Sequence, residues 1–586
     1  MEHKLIDRQG KQVIIRAAGH TCASKHEILS SNVVRRILFL YFEHLKSMGS
    51  PLVEQMAHEC KDPADLDELI LFFRILGDFP IEEAANLVPM AKQFVDKPGR
   101  KILMEFVEGL YDYWRSFDRY MIIQSEDALA GLDQRPYRSF NSTIEALTHV
   151  IRGTYRDLCE NIIGDHPRIY RQVPAGCNVG LIAVPKASAM PEPYRSQLGD
   201  LPFIRQVWID PPLILDPPMN KRTGSFTPVP NDPLAGLKPN PDEWICYPAQ
   251  VGPLVIFIYF HKMFMGLGCA LANLFDLATD EQIAKGPAAV FMYGVDPEFA
   301  KGFKVPTIIH ETAEGLLVGA IPGKPEYGYF GYLKKMALSL HNVAMIKRGR
   351  MPFHGAMIRI QLKSGKNANI LIIGDTATGK SESLEAFRLL GEGRLRDMRI
   401  VADDMGSLEV DAEGRILGYG TETGAFVRLD DLQQGYAFGQ MDRAIFMSPQ
   451  KRNAGVVIPI TTIDEVLHGY PLDYILSANN YEDVSENCPV LQRFDSCEEA
   501  MTVFRNGNAM SKGTTSVDGL THSYFANPFG APHFKPQHEE VAKPVFETAF
   551  AKGLFVGQIR TRLAIPGMES TGPEAVAKAL LDQLDS

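Results

Sequence analysis

Eight consecutive residues in the C-terminal half of the chain have the types and spacing of a phosphate-binding loop. They fit the pattern G-x-x-x-x-G-K-[ST] and are Gly374, Asp375, Thr376, Ala377, Thr378, Gly379, Lys380 and Ser381. In such a P-loop, backbone N–H groups bind phosphate oxygens, the lysine reaches the β- and γ-phosphates, and the hydroxyl holds Mg²⁺. The apolar run 370–373 predicts a strand before the loop, and residues 382–390 predict a helix after it. This context favours phosphate binding.

A lysine pair and a histidine upstream of the loop could supply nitrogen ligands to a metal. Lys334 and Lys335 end the run YFGYLKK, which begins at Tyr329, and His354 follows Lys335 by nineteen positions. An amine binds a metal only after losing its proton, and a divalent ion and a neighbouring cation both lower its pKa. Lys334 is such a neighbour. Taken alone, the lysine pair would be a solvated basic pair, so the interpretation rests on the order and spacing with His354.

Two adjacent carboxylates, Asp403 and Asp404, follow the apolar run 400–402 downstream of the loop. In P-loop proteins a second strand often presents such an acid to the metal of the nucleotide. Neighbouring residues on an extended strand face opposite ways, but at the end of a strand both carboxylates can reach a shared metal cluster. The alternative is a turn signal before Gly406.

In this order, the motifs resemble those of phosphoenolpyruvate carboxykinases. That family has a Tyr-Gly-Gly-x-x-Lys-Lys motif, a histidine, a P-loop and an Asp-Asp pair, and this chain has YFGYLKK, FHGAM, GDTATGKS and VADDMG. Weaker similarity continues in ETGAF and YFANPFGAPHF, so the resemblance covers about residues 329–545. It implies an α/β fold with a P-loop carboxykinase-like core of mixed sheets and flanking helices.

The resemblance also implies a reaction and roles for individual residues. Oxaloacetate would lose CO₂, and the metal would stabilise the enolate, which takes the γ-phosphoryl group of ATP to give phosphoenolpyruvate and ADP. The implied Mn²⁺ ligands are Lys335, His354 and Asp404, with Asp403 beside them, while Lys380 and Ser381 would bind the ATP phosphates and Mg²⁺. The residues expected to complete the nucleotide and substrate sites are Glu382, Glu422, Tyr329 and Lys334.

The centre of the chain is equally similar to HPr kinase/phosphorylase. That family has His-Gly before its P-loop, Gly-Lys-Ser-Glu within it and Ala-Asp-Asp after it, and all three are present here. In this interpretation Asp403 or Asp404 activates a hydroxyl of a small molecule or a protein. A third hypothesis is a nucleotide sensor without turnover, but such a sensor has less use for a second metal. The lysine pair and the chain length favour the carboxykinase.

Several arginines of the carboxykinase pattern are not matched in this chain. The nearest counterpart of its Gly-Arg-Ser-Pro-Lys motif contains Arg222, which is misplaced, and Gly455 stands where another arginine is expected. Arg560 and Arg562 follow an apolar run and could point the same way from a strand, as an anion-binding fork or as surface arginines. Residues 512–515 could approach phosphate or adenine. The sequence does not place the loops that would select a base, so ATP, GTP and pyrophosphate all stay open as the phosphoryl donor.

Composition limits the class of protein. The 586 residues carry a net charge of −11, which argues against a general nucleic-acid or anionic-membrane partner. The most apolar stretch, 254–275, contains His261, Lys262 and Asn273, so a buried strand followed by a helix is expected instead of a membrane span. The N-terminus has no apolar signal region, and eight cysteines without C-x-x-C pairs are typical of reduced thiols. We expect a cytoplasmic protein that binds a nucleotide and a small oxo-acid.

The pattern along the chain predicts three domains. Residues 1–165 are expected to be mostly α-helical after an initial hairpin, with capping boxes starting at Ser24 and Ser142 and with aromatic residues in the core. Residues 166–345 are expected to form an α/β substrate-side lobe with proline-rich loops. Residues 346–586 would form the P-loop lobe that binds nucleotide and metal.

Overall fold

The protein is a mixed α/β structure with several sheets and many helices, divided into two compact units. The first unit contains Met1–Val184 and Ile204–Asp210, and the second contains Pro185–Phe203 and Pro211–Ser586. The computed structural model describes residues 4–6, 12–17, 21–56, 63–124, 136–164, 176–222, 226–300, 307–375, 377–391, 393–429, 443–450, 453–486, 488–511 and 519–585.

The described strands of the first unit form one sheet in the order β1-β2-β3-β4-β5. These strands are β1 (Lys4–Ile6), β2 (Gln12–Ala17), β3 (Asp118–Gln124), β4 (Val179–Val184) and β5 (Phe203–Ile209, in this unit from Ile204 onward). β1 and β2 pair antiparallel, so the predicted N-terminal hairpin is confirmed, although its turn lies outside the described residues. β3 pairs in parallel with both β2 and β4. The helical pattern of this region did not predict β3.

Helices supply most of the remaining structure of the first unit. They are α1 (Lys25–Leu29), α2 (Asn32–Ser47), α3 (Leu52–Gln55), α4 (Asp67–Leu76), α5 (Ile81–Leu87), α6 (Lys97–Arg115) and α7 (Pro136–Ile163). Phe72, Phe73 and Trp114 are buried, which confirms their prediction as core residues. The Ser24 hydroxyl accepts the backbone N–H of Glu27 at 3.3 Å, as an N-cap does. The capping box predicted at Ser142 is wrong, because α7 has already begun at Pro136.

One sheet of the second unit has the order β8-β9-β11-β13-β12-β7, with β10 paired to β8. The first strands of this unit are β6 (Leu213–Leu215), β7 (Thr227–Val229), β8 (Trp244–Val251), β9 (Leu254–His261), β10 (Asp276–Leu277), β11 (Ala289–Val295), β12 (Ile308–Glu311) and β13 (Leu317–Pro322). β9, β11 and β13 run parallel and are almost wholly buried, as expected of apolar strands covered on both faces. The strand predicted in 254–260 is therefore confirmed.

Short helices accompany this sheet. They are α8 (Tyr194–Leu198), α9 (Met265–Cys269), α10 (Asp280–Ala284) and α11 (Pro297–Ala300). The single helix predicted after β9 is instead α9 between two 3₁₀ turns. Glycine is a poor helix former, and Gly266 and Gly268 lie in α9.

A second sheet of this unit carries the P-loop and has the order β22-β18-β17-β14-β15-β23-β27-β24, with β16 paired to β14. Two smaller sheets have the orders β19-β21-β20-β6 and β25-β26. The strands are β14 (Met351–Leu362), β15 (Asn367–Ile373), β16 (Leu395–Ala402), β17 (Met405–Val410), β18 (Ile416–Gly420), β19 (Gly424–Arg428), β20 (Ile445–Met447), β21 (Gly455–Pro459), β22 (Tyr470–Pro471), β23 (Tyr474–Asn479), β24 (Leu491–Arg493), β25 (Asn508–Ser511), β26 (Gly519–His522) and β27 (Phe555–Arg560).

Helices cover both faces of the P-loop sheet. The helices of this part of the chain are α12 (Phe330–Lys347), α13 (Lys380–Leu390), α14 (Ile463–Leu467), α15 (Cys497–Asn506), α16 (Lys535–Ala551) and α17 (Thr571–Asp585). Ile370 and Ile372 of β15 pack in one core with residues of α13 and α17, whereas Leu371 and Ile373 pack in another with residues of α15 and α16. This alternation follows from the two-residue period of a strand. It explains why the sequence before the P-loop is continuously apolar.

Two observations concern membranes and thiols. No helix within the described ranges is long and apolar enough to cross a membrane. The described cysteines are free, and Cys60 lies outside the described residues.

Gly355 gives a test of the pairing between β14 and β15. A Cβ at this position would overlap the backbone carbonyl of Ile372 on β15. We expect Gly355→Ala to lower the free energy of unfolding by about 1–3 kcal/mol, because backbone atoms cannot move aside as a flexible side chain can. Gly393→Ala is the matched control, since a Cβ there meets nothing within 4 Å. Equal unfolding midpoints for the two variants in urea would contradict the tight register.

Candidate functional site

Lys334 and Lys335 lie near the start of α12, a helix that is buried on nearly every side. Both amines reach the same carboxylate oxygen, since Nζ lies 2.8 Å from Asp404 Oδ2 for Lys334 and 2.6 Å for Lys335. Burial lowers the pKa of Lys335, and the charge of Lys334 lowers it further, against the opposing effect of Asp404. The pKa of Lys335 is therefore shifted in the direction that a metal ligand requires.

The pKa of Lys334 is raised, unlike that of Lys335, because Lys334 contacts two carboxylates. Its Nζ lies 3.0 Å from Glu422 Oε1 as well as 2.8 Å from Asp404. Burial works against the charged form, but Asp404 and Glu422 outweigh it and raise the pKa of Lys334. Burial raises the pKa of Glu422, whose carboxylate also accepts a short hydrogen bond from the Thr421 hydroxyl. Lys334 thus serves as the permanent cation of the pair.

Asp404 is placed by the meeting of three strands. β16 ends at Ala402, β17 begins at Met405, and both pair with β14, so Asp404 lies in the bend beside His354. Its backbone carbonyl accepts the N–H of Gly355 at 3.0 Å. Burial opposes its charge, but Lys334 and Lys335 hold the pKa of this carboxyl well below its usual range. Asp404 is therefore an ionised carboxylate shared by several cations.

Asp403 differs from its neighbour. Its carboxylate forms no hydrogen bond or ion pair with the described residues, and burial raises its pKa. The expected opposite orientation of adjacent strand residues accounts for the difference. Only Asp404 of the predicted pair makes direct contacts in the group formed by Lys334, Lys335, His354, Asp404 and Glu422, which we call the central cluster.

His354 contributes a lone pair to the central cluster. Its Nδ1 lies 2.6 Å from the carbonyl oxygen of Ala526, so Nδ1 carries the hydrogen and donates it. Burial and the charge of Lys380 lower the pKa of His354, which favours the neutral ring. Nε2 then presents its lone pair to Asp404 Oδ1 at 3.0 Å. Two lone pairs at this distance repel each other unless a cation lies with them.

The P-loop joins the central cluster through the backbone. The N–H of Gly374 donates to the carbonyl of His354 at 3.1 Å. Ala377 and Gly379 have positive φ values of 63° and 89°, which turn the chain into α13. Lys380 is buried, and its Nζ donates to the carbonyls of Gly374 and Asp375 at 2.8 Å each. Burial lowers the pKa of Lys380.

Neighbouring strands hold the P-loop in shape. The Thr561 hydroxyl, just after β27, donates to the carbonyl of Thr378 at 2.7 Å. The Asn480 amide, just after β23, donates to the carbonyl of Ala377 at 2.9 Å. These bonds leave the N–H groups of the first turn of α13 for phosphate oxygens, since the first four N–H groups of a helix have no acceptor within it.

The remaining predicted residues of the nucleotide site are Glu382, Thr376 and Ser381. Glu382 lies in the first turn of α13. Thr376 and the side chain of Ser381 lie outside the described part of the structure. The candidate segment 512–515 also lies outside it.

The central cluster fits a divalent cation. A cation between His354 Nε2 and Asp404 Oδ1 would remove the repulsion of their lone pairs, and Lys335 supplies a third donor with a lowered pKa. Within the described residues, no group of three His, Cys, Asp or Glu side chains could hold a metal, so the lysine is essential to this site. Mg²⁺ takes oxygen ligands, whereas imidazole is a ligand of transition-metal ions, so this mixed set of donors would suit a transition-metal ion better than Mg²⁺.

Arg560 and Arg562 do not form the expected fork. β27 ends at Arg560, and Arg562 has a positive φ of 54°, so the two side chains do not project from one strand face. The Arg560 guanidinium is occupied by Glu482 Oε2 at 2.9 Å, Pro489 O at 2.8 Å and Gln492 Oε1 at 2.9 Å. Arg562 Nη1 lies 3.6 Å from Asp483. The apolar run correctly indicated the strand but not where it ends.

Arg222 is instead the arginine that reaches the site. Its guanidinium carbon lies 5.4 Å from the centre of the Phe529 ring, which also lies 4.4 Å from Lys335 Nζ. Burial lowers the pKa of Arg222, against the opposing effect of the Asp375 carboxylate. Tyr329 is itself largely buried, and burial raises its pKa. The motif comparison named the segment of Arg222 as the nearest counterpart but judged the arginine misplaced, because spacing in the sequence does not show the path of a loop.

Comparison with known proteins does not assign the chain to a family. No family model matches it, and no curated protein sequence matches it significantly.

The two adjacent aspartates give a matched test of the central cluster. Asp404→Asn leaves two buried lysines without their shared carboxylate, so we expect the free energy of unfolding at pH 7 to fall by about 3–5 kcal/mol. Asp403→Asn is the control and should change it by less than about 1 kcal/mol, because burial disfavours the charge of Asp403. Urea unfolding of both variants measures the difference. If Asp403→Asn lowered the free energy of unfolding more than Asp404→Asn, Asp403 and not Asp404 would be the carboxylate that stabilises the cluster.

The difference in free energy of unfolding between wild type and Asp404→Asn should also depend on pH. The pKa of Asp404 is lowered in the folded protein, so its stabilisation is present above the unfolded value of about 3.9 and is lost as the pH falls through the folded value. The stability difference between wild type and Asp404→Asn should be constant from pH 7 to pH 5 and shrink below pH 4. Thermal unfolding across this range measures it, and a difference that grows on acidification would contradict the ionised state of Asp404.

Proposed function

We propose that this protein is a phosphoenolpyruvate carboxykinase-like enzyme that uses ATP, or a related phosphoryl donor, to convert oxaloacetate into phosphoenolpyruvate and CO₂. The observation that carries the proposal is the convergence of Lys335 and His354 on Asp404, one backbone hydrogen bond away from a P-loop. A kinase needs the P-loop, but a second cation site built from a lysine, a histidine and an aspartate fits the carboxykinase resemblance. The P-loop sheet would then be the core of that fold.

The phosphoryl donor would bind at the N-terminus of α13. Lys380 donates to two carbonyls of its own loop, so its amine is already held where the β- and γ-phosphates arrive. Lys380 would exchange these carbonyls for phosphate oxygens and offset the charge that develops during transfer. Ser381 would hold Mg²⁺.

The second cation would be held by Lys335, His354 and Asp404. It would supply Lewis-acid stabilisation of negative charge on the oxo-acid oxygen. Ala526 fixes the ring of His354 so that Nε2 faces the cation. Lys334, which is paired with Glu422, lies beside Lys335, and its charge adds to the effect of burial in lowering the pKa of Lys335.

The acceptor would bind against Arg222. An oxo-acid with two carboxylates needs a cationic partner, and the guanidinium of Arg560 is hydrogen-bonded to Glu482, Pro489 and Gln492. Arg222 lies against the same ring as Lys335, so it can hold a carboxylate next to the cation site. After loss of CO₂, the enolate oxygen would face the γ-phosphoryl group.

One observation favours a kinase as the second candidate. Asp403 is a partly buried carboxylate with a raised pKa and no hydrogen bond to the described residues, which suits a general base. In that case the acceptor is a hydroxyl, as in the HPr kinase/phosphorylase resemblance, and no CO₂ is released.

Phosphorus NMR separates these functions. Protein with ATP, Mg²⁺, Mn²⁺ and oxaloacetate should produce a growing phosphoenolpyruvate signal as ATP becomes ADP. Lys380→Ala should reduce the rate about a hundredfold or more, because a charge-stabilising donor to the phosphates is lost. Lys543→Ala is the control, since that side chain is 65% exposed on α16.

The outcomes distinguish the candidates. No phosphoenolpyruvate signal from protein that binds ATP would reject the carboxykinase proposal. Transfer to a hydroxyl acceptor without CO₂ would then support the kinase, and ATP binding without any turnover would support a sensor. Near-normal activity of Lys380→Ala would show that the P-loop assignment is wrong.

A further inference from the structure

The ring of Phe529 touches three groups that come from distant parts of the sequence. Lys335 Nζ lies 4.4 Å from its centre, the Arg222 guanidinium carbon lies 5.4 Å away, and the His354 ring meets it at 5.6 Å with the planes at 88°. Phe529 is only 5% exposed. One side chain therefore lies against the cation ligands and against the arginine that faces the acceptor.

Two aromatic rings hold Arg222. Its guanidinium carbon lies 5.5 Å from the centre of the Phe226 ring in addition to the contact with Phe529. Cations are attracted to the electron-rich face of an aromatic ring, and a guanidinium group can stack on such a face while its N–H edge donates. The two rings thus restrain the direction of the guanidinium group.

The backbone that carries Phe529 is fixed by Asn342. The Asn342 amide donates to the carbonyl of Phe529 at 2.7 Å and to Asn527 Oδ1 at 3.3 Å, and Asn527 Oδ1 accepts the N–H of Phe529 at 3.1 Å. Asn342 is fully buried, and it lies two turns after Lys335 on α12, on the same side of the helix. The helix that supplies the metal-binding lysine therefore also anchors the ring.

The same loop is strained where it meets His354. Phe525 and Ala526 have positive φ values of 53° and 50°, a conformation that costs free energy in residues with side chains. The carbonyl of Ala526 in this strained pair accepts the hydrogen of His354 Nδ1. A strained backbone persists only where its surroundings over-determine it, and the hydrogen bonds of Asn342 provide such a restraint nearby.

We propose that Phe529 and Asn342 are positioning residues: Asn342 fixes the loop 525–529, and the Phe529 ring orients Arg222 toward the acceptor beside Lys335 and His354. The orientation of an acceptor by Arg222 rests on the proposed function, whereas the orientation of Arg222 by the ring does not. A phenylalanine used only for packing would depend on the shape of its ring and not on the charge of its face.

The orientation of Arg222 can be measured without any activity. Phenylglyoxal modifies accessible arginines, and mass spectrometry of peptides gives the rate at Arg222. We expect Phe529→Leu, Asn342→Ala and 3,4,5-trifluorophenylalanine at position 529 each to raise that rate at least about threefold, because each weakens the contact between ring and cation. The fluorinated ring keeps its shape, so this variant remains informative if the others fold poorly.

Position 257 supplies the matched controls. Phe257 is fully buried in β9 and packs against Phe203 and Tyr259, in a core that does not include the central cluster. Phe257→Leu and trifluorophenylalanine at position 257 should leave the rate at Arg222 unchanged. Unchanged modification in all three test variants, or an equal rise in the controls, would overturn the proposal.

Steady-state kinetics tests whether the Phe529 ring helps to orient the acceptor. Trifluorophenylalanine at position 529 should raise the KM for oxaloacetate about tenfold while changing the KM for ATP less than twofold, because the ring contacts described for Phe529 are with Arg222, Lys335 and His354. Equal changes in both constants would reject a role in orienting the acceptor. If the wild-type protein makes no phosphoenolpyruvate, the proposed function fails, while the modification rates still decide whether the ring positions Arg222.

Discussion

The electrostatic balance around the Asp404 carboxylate governs the arrangement of the second unit's candidate site. Two lysine amines and one imidazole lie within 3.0 Å of it, in an interior where an unpaired charge is costly. Lys334 and Lys335 hold the pKa of the Asp404 carboxyl well below its usual range, while burial and the charge of Lys334 lower the pKa of Lys335. Removing any partner would leave a buried charge or a buried lone pair without compensation.

Strand β14 brings the groups around Asp404 together, and close pairing with its neighbours constrains its own position. β14 brings His354 next to the bend that carries Asp404, and it also holds the start of the P-loop through the carbonyl of His354. Gly355 allows β14 and β15 to pair at close range. The phosphate loop and the central cluster therefore share one strand, and a change in one would move the other.

The predictions that the structure confirms concern local secondary structure. The apolar run before Gly374 indicated β15, and the helix after Lys380 followed from the pattern of the P-loop. The proximity of Lys335, His354 and Asp404 was anticipated by a resemblance among short motifs, not by periodicity. Arg560 was expected to bind an anion, but a strand end and three hydrogen bonds commit it elsewhere.

The sequence by itself indicated the P-loop pattern, the strand before it and the helix after it, because these depend on residue types at fixed local spacing, whereas a resemblance among motifs named the candidate ligands. Tertiary structure decided which of the two aspartates joins the central cluster, which arginine reaches it and which nitrogen of His354 faces inward. Each of these depends on contacts between segments far apart in the chain: Arg222 meets Phe529, and His354 meets Ala526. Local patterns carry no information about such pairs, since loops of different path can have the same composition.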